Sequence, residues 1–162
     1  MDADIKIVDD DMVELNQIKY QNFTKEEAGK SKAEVLGNRY NFEYAIERVG
    51  EGNTFGGFDL VVLCVDNDKT REFVVRHCHK NNIDFIDLRA TGRRIFAMVK
   101  EKTLEKNLRF IDDDNKEYSC QDKSDLDKGW VQMGNEIIAT IGCQMILNIS
   151  RGHNNKTLSE SI

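Results

Sequence analysis

Eight consecutive residues, Phe58-Asp59-Leu60-Val61-Val62-Leu63-Cys64-Val65, constrain this chain more than any others. A near-continuous apolar run of this length, rich in β-branched residues, is the pattern of a strand buried on both faces. Such strands belong to parallel sheets covered by helices. The run ends at Asp66-Asn67-Asp68, and a helix is expected from about Lys69 to Lys80, with Phe73, Val74, His77 and Cys78 on one face. Asn81-Asn82 closes it, and Ile83-Asp84-Phe85-Ile86-Asp87-Leu88 reads as the next strand. Strand, helix, strand at this spacing is the βαβ unit of an α/β protein.

The flanking segments extend the alternation. Ile5-Lys6-Ile7-Val8 is a short strand that delivers Asp9, Asp10 and Asp11 to its C-terminal tip, and a polar stretch through Gln17, Tyr20 and Gln21 follows. Thr24 is placed to cap a helix with Glu26 and Glu27 in its first turn; Gly29 interrupts it, so the main helix is expected from Ser31 to about Arg39. Phe42 to Val49 reads as a strand and Gly50 to Gly57 as a glycine-bearing loop. Arg94–Val99 and Leu108–Ile111 are expected to pair as antiparallel strands. Asp112 to Lys128 is loop-like, and Ile137 to Ile149 is an apolar helix containing Gly142. The tail after Ser150 is polar and expected to fray. Residues 1–150 form one domain in this reading, and 151–162 its tail.

Charge and cysteine usage narrow the function classes. A formal net charge of -6 and a pI near 5.1 oppose binding to nucleic acid or an anionic membrane, which want a basic face. No apolar run approaches the roughly 20 residues of a membrane helix, and Met1-Asp2-Ala3-Asp4 lacks the basic start of a signal peptide. Cys64, Cys78, Cys120 and Cys143 form no C-x-x-C pair, so neither a zinc knuckle nor a disulfide scaffold is indicated, and a reducing, cytoplasmic setting is expected. Cys64, Cys78 and Cys143 lie in apolar stretches and read as core residues. Cys120 stands in the polar stretch Glu117 to Asp122. His77 and His79 flank Cys78 but point to different sides of a helix, so a shared metal is not expected.

Three segments, in order, resemble the ThiF/MoeB/HesA family, relatives of the adenylation domain of ubiquitin-activating enzymes. Val8-Asp9-Asp10-Asp11-Met12-Val13-Glu14-Leu15 is similar to the family's strand ending in Asp-x-Asp-x-Val. Gly29-Lys30-Ser31-Lys32-Ala33-Glu34 is similar to its Gly-x-x-Lys-x-x helix start. Phe58 through Asp66-Asn67 to Arg71 is similar to its strand, Asp-Asn pair and helix, and the helix containing Gly142 resembles its closing helix. The resemblance implies an incomplete Rossmann-like, doubly wound, mainly parallel sheet with an antiparallel C-terminal extension. It also implies ATP- and magnesium-dependent adenylation of the C-terminal carboxylate of a ubiquitin-like or sulfur-carrier protein, by a homodimer or a heteromer with another ThiF-like chain. By that resemblance Asp9 would bind the ribose, Lys32 a phosphate and Asp66 the magnesium, with Asp11, Gln21 and Asn67 around the nucleotide. Cys120 would be the thioester-forming residue, as in members that capture the acyl group. Each has a plainer reading: Asp9 as a solvated turn residue, Lys32 as an exposed lysine, Asp66-Asn67 as a helix cap, and Cys120 as an idle surface thiol with acidic neighbours that oppose its ionisation.

The chain also departs from the family's pattern. The G-x-G-x-x-G turn that meets the phosphates with backbone N–H groups is missing, and Gly50, Gly52, Gly56 and Gly57 precede a strand rather than open a helix. Tyr20 stands where the family has an arginine, and Gln17 where it has an asparagine. The chain is therefore expected to begin at the family's second strand, to bind ATP weakly alone, and to need its central strand filled by upstream residues, another chain or closure of the gap. Three readings follow: an adenylyltransferase completed by a missing βα unit, a catalytically inactive partner subunit, and, last, a Rossmann domain for another nucleotide such as NAD.

Overall fold

The structure, a computed structural model, describes residues 3–111, 121 and 123–161. It comprises two compact units, Met1–Gly52 and Asn53–Ile162.

In the first unit, β1 (Lys6–Val8) pairs in parallel with β2 (Glu43–Ala45), Ile7 opposite Tyr44, and α1 (Lys32–Tyr40) makes the crossover and packs on both strands. Ser31 caps α1, its Oγ accepting the Glu34 N–H at 3.4 Å, and Asn41 closes it with φ 56°. Gly37 leaves room for Tyr44: a Cβ there would lie 2.5 Å from its ring and 3.1 Å from the Phe42 carbonyl oxygen, so the ring would have to shift. Thr24 heads only a single 3-10 turn, Lys25–Glu27, because Gly29 at φ 81° turns the chain before a helix can propagate. The strand expected from Phe42 to Val49 shrinks to β2. Tyr44 and Ile46 are 40% and 54% exposed, so little burial rewards a longer ladder.

The second unit contains β3 (Leu60–Leu63), α2 (Asp68–Lys80), β4 (Asp84–Thr91), β5 (Arg94–Val99), α3 (Leu104–Leu108), α4 (Lys123–Leu126), α5 (Gly134–Ser150) and β6 (Leu158–Ser161). The sheet order is β3-β4-β5-β6, with β3 and β4 parallel and the other two pairs antiparallel. On one face of β4, Ile86 and Leu88 join Ile95, Ala97, and Ile138 and Met145 of α5 in the core. On the other, Phe85 meets the His79 ring at 6.1 Å and Asp87 bonds Arg71 of α2. The fold is thus mixed α/β, with parallel βαβ pairing and an antiparallel C-terminal part.

Several expectations are corrected. The strand buried on both faces is β4, whose Phe85–Leu88 are all buried; in the Phe58 run only Leu63 is buried, with Phe58 and Val62 38% and 39% exposed. β3 hydrogen-bonds only to β4 within its sheet and so lies at the margin. Cys64 and Cys143 are exposed rather than core residues: the first lies past the end of β3, and the second follows Gly142, the residue that faces Leu88. Cys78 is buried, and burial pushes its thiol up to about 11. Leu108–Ile111 is no strand. Leu104–Leu108 is helical, and β5 takes β4 and β6 as neighbours. Nor does the tail fray: Leu158 pairs opposite Ala97 and packs against the core, so β6 satisfies the outer edge of β5.

Candidate functional site

In the first unit the turn after β1 gathers three of the expected site residues. Asp9 Oδ1 accepts the Asp11 N–H at 2.7 Å, and Asp11 Oδ2 accepts from Lys32 Nζ at 2.8 Å. Backbone bonds hold that turn against the start of α1: the Lys32 N–H donates to Asp11 O and the Val13 N–H to Lys30 O, each at 2.9 Å. Lys32 is therefore not a loose surface lysine. Its side chain is 12% exposed against 64% for Asp11, and it stands in the first turn of α1, where the helix N-terminus adds positive character. Carboxylate oxygens of Asp9, Asp10 and Asp11 lie within 4.8 Å of one another. Burial, the largest influence, raises the Asp9 carboxyl above its ordinary value; the Asp11 N–H and Lys32 pull it down, and the Asp11 and Asp10 charges push it up. Gln21 follows the 3-10 turn Gln17–Lys19, its N–H donating to Gln17 O at 2.8 Å. Among the described residues, no hydrogen bond ties its side chain to the Asp9–Lys32 group, and Gln17 Oε1 is buried without a partner.

In the second unit Asp66 is exposed just past the carboxyl end of β3. The helix-capping role foreseen for Asn67 is present: its Oδ1 accepts the Thr70 N–H at 2.8 Å, and its Nδ2 reaches Asp66 Oδ1 at 3.4 Å. An exposed carboxylate at the carboxyl end of a parallel strand, beside a capped helix start, is where open α/β sheets bind their ligands. By contrast, a cleft of about 580 Å³ lined by Phe58, Asp59, His77, Asn82 and Asp84 lies at the entry ends of β3 and β4. His79 Nε2 and Asn107 Oδ1 are 2.8 Å apart, while the His77 ring meets Phe55 edge-on at 5.1 Å. Cys120 lies outside the described residues.

Sequence reasoning missed a buried ion network behind Asp66. Arg71 donates Nε to Asp87 Oδ1 at 3.0 Å, Nη1 to Asp68 Oδ1 and Nη2 to the Val65 carbonyl. Arg89 donates Nε and Nη2 to Asp87 Oδ2 at 2.9 and 2.6 Å, and Nη1 to Phe110 O at 2.8 Å. Asp87 is 0% and Arg71 1% exposed. The available signal was an aspartate inside an apolar strand: a buried carboxylate demands a cation, and Arg71 lies on the helix packed against that strand.

A sequence model of the ThiF family matches residues 3–162. The chain belongs to the ThiF family. Solved structures with a similar fold include the selenomethionine form of PaaA, at 17% identity and a TM-score of 0.62, covering 96% of this chain and 63% of that one. E. coli MccB with AMPCPP and MccA aligns at 13% identity and a TM-score of 0.65, covering 98% of this chain and 56% of that one. MccB with ATP gives 14% identity, a TM-score of 0.65, and the same coverages of 98% and 56%. This ThiF-family chain thus spans between 56% and 63% of the length of those three chains. No curated protein matched it. Asp66 offers an exposed carboxylate, an oxygen ligand of the kind magnesium takes. The triphosphate is fitted less well, since among the described residues no glycine-rich turn leads from a strand directly into a helix.

Proposed function

We propose that this chain serves ATP-dependent adenylation of the C-terminal carboxylate of a small ubiquitin-like or sulfur-carrier protein, with a glycine-loop βα unit supplied beyond the residues here. The reading rests chiefly on the Asp66–Asn67 turn, an exposed carboxylate at a parallel strand's carboxyl end. MccB, of similar fold, has been solved with ATP and with AMPCPP and MccA, which supports a nucleotide ligand. In the reaction a carboxylate oxygen attacks the α-phosphorus and pyrophosphate leaves, giving an acyl-adenylate. Two anions must meet, so the site supplies positive charge and alignment. Asp66 would hold magnesium, which neutralises phosphate charge when bound. By the ThiF resemblance Lys32 would contact phosphate and Asp9 the ribose, and Asp11, Gln21 and Asn67 would bind the nucleotide. The assembly is a homodimer or a heteromer with another ThiF-like chain, in a cytoplasmic setting. The test is magnesium-dependent ATP–pyrophosphate exchange in the presence of a ubiquitin-like or sulfur-carrier protein with a free C-terminal carboxylate, in the chain fused behind a ThiF-type strand–glycine-loop–helix unit. Exchange is expected and should vanish in Asp66→Ala; exchange that survives that substitution would refute the role of Asp66.

A second reading, a non-catalytic partner subunit, is favoured by Tyr20, whose phenol cannot supply positive charge. Failure of exchange in the fused protein, with stable binding to a complete ThiF-like chain, would select it.

A further inference from the structure

The carboxylate of Asp87 is fully buried and grips two arginines, one on each oxygen. Asp87 pairs opposite Leu63, the last residue of β3, so it lies beside the strand end that precedes Asp66. From there Arg71 reaches the Val65 carbonyl and Asp68, the two sides of the Asp66–Asn67 turn. On the other oxygen Arg89 stacks over the Phe96 ring at 4.9 Å and takes the Phe110 carbonyl at 2.8 Å, beyond α3. The charges balance, Asp68 and Asp87 against Arg71 and Arg89. A layer of apolar side chains would serve stability as well, because desolvating four ions offsets most of what their attraction returns. What an apolar layer cannot do is fix two carbonyls and a carboxylate at set distances.

We propose that Asp87 is a positioning residue: through Arg71 it sets the turn that carries Asp66, and through Arg89 it anchors the chain at Phe110, so one buried charge holds both segments. Its consequence for magnesium rests on the function proposed above; the mechanical claim does not.

Hydrogen exchange on the full chain, read by mass spectrometry, separates the two. The reporters are the amides at 70 and 71, bonded to Asn67, and those at 110 and 111, bonded to Asn107 and Leu108. Asp87→Asn should speed both pairs by about tenfold or more through local opening, leaving the amide of Val35 in α1 unchanged. Arg71→Met should speed only the first pair and Arg89→Met only the second. If Asp87→Asn does not fold, Arg89→Lys, which cannot hold Asp87 and Phe110 together, should still speed the second pair alone. A variant of Asp87 that leaves either pair unchanged, or arginine variants that each loosen both, would overturn the proposal. In the completed domain, Asp87→Asn should raise the KM for Mg-ATP and the magnesium concentration required more than it lowers kcat. Unchanged magnesium dependence would overturn the link to Asp66. Absence of exchange in the unsubstituted completed domain would instead refute the proposed function, with the hydrogen-exchange pattern still deciding the role of Asp87.

Discussion

Gly142 lies where α5 crosses β4, and a Cβ built there would sit 2.4 Å from Leu88 Cδ1, with Cδ2 and Cγ at 3.4 and 3.5 Å. Ordinary carbon contacts fall at about 3.5–4.0 Å, so an added methyl is about 1 Å too close to one atom and acceptable to the rest. Leu88 is 9% exposed and packed in the core, which limits its retreat. Overpacking of this kind costs about 1–3 kcal/mol. Alanine in a helix interior regains about 1 kcal/mol over glycine. Gly142→Ala alone should therefore destabilise by about 0–2 kcal/mol, and Leu88→Ala alone by about 2–4 kcal/mol through its cavity. In the Leu88→Ala background the clash is gone, the helix gain remains and the methyl fills part of the hole, so Gly142→Ala should become stabilising by about 1 kcal/mol. That sign reversal corresponds to a coupling of about 1–3 kcal/mol. Urea unfolding followed by the fluorescence of Trp130, the single tryptophan and a member of the second unit, measures it. Equal destabilisation by Gly142→Ala in both backgrounds would refute the packing argument.

Isothermal calorimetry on the 162-residue chain alone should show Mg-ATP binding weaker than micromolar, because the glycine loop and the arginine replaced by Tyr20 are not supplied. The raised Asp9 carboxyl binds its proton more tightly folded than unfolded, so its contribution to stability is present at low pH and lost as pH rises through the raised value. Asp9→Asn should accordingly raise Tm at pH 7 relative to the parent, and the difference should disappear below the ordinary value of 3.8; a constant difference across pH would contradict the burial of Asp9. In the completed complex with a ubiquitin-like partner and Mg-ATP, a non-reducing gel should show a thioester that Cys120→Ala removes, and a band that survives rules Cys120 out.

The sequence made the βαβ unit legible because its cues are local. An apolar run, an Asx cap and a helical stripe from Phe73 to Cys78 need no tertiary information, and α2 begins within one residue of its expected start. The cap at Asn67 was legible for the same reason, whereas the cap was expected at Thr24 and is made by Ser31, read only as the helix start. Burial was not. Whether Phe58–Val65 or Ile83–Leu88 lies in the middle of a sheet depends on which strands flank it, and β6, drawn from a tail of polar composition, completes the edge of β5. Asp87 and Arg89 share a face by the two-residue period of β4, but Arg71 was hidden because its separation of 16 residues carries no periodic signal. Cys64 and Cys143 were misplaced because composition reports neighbours in the chain rather than neighbours in space.

Between an active and an inactive ThiF-family domain, Lys32 turns out to be the weaker discriminator. Its partner Asp11 is 64% exposed, and an ion pair with one arm in water is worth about 0–1 kcal/mol. A triphosphate carrying several charges at a helix N-terminus would displace that partner readily, so the pairing does not disable the lysine. Tyr20 is different. No rearrangement gives a phenol the permanent charge and forked donors of a guanidinium, and hydrogen bonds to charged groups are worth about 1.5–3 kcal/mol each. A glycine loop is harder still to replace, since its contribution is a set of backbone N–H groups that side chains crowd out. The choice between the two readings therefore turns on what stands beside β1 in the assembled protein, and on whether it brings enough phosphate donors to outweigh a tyrosine at position 20.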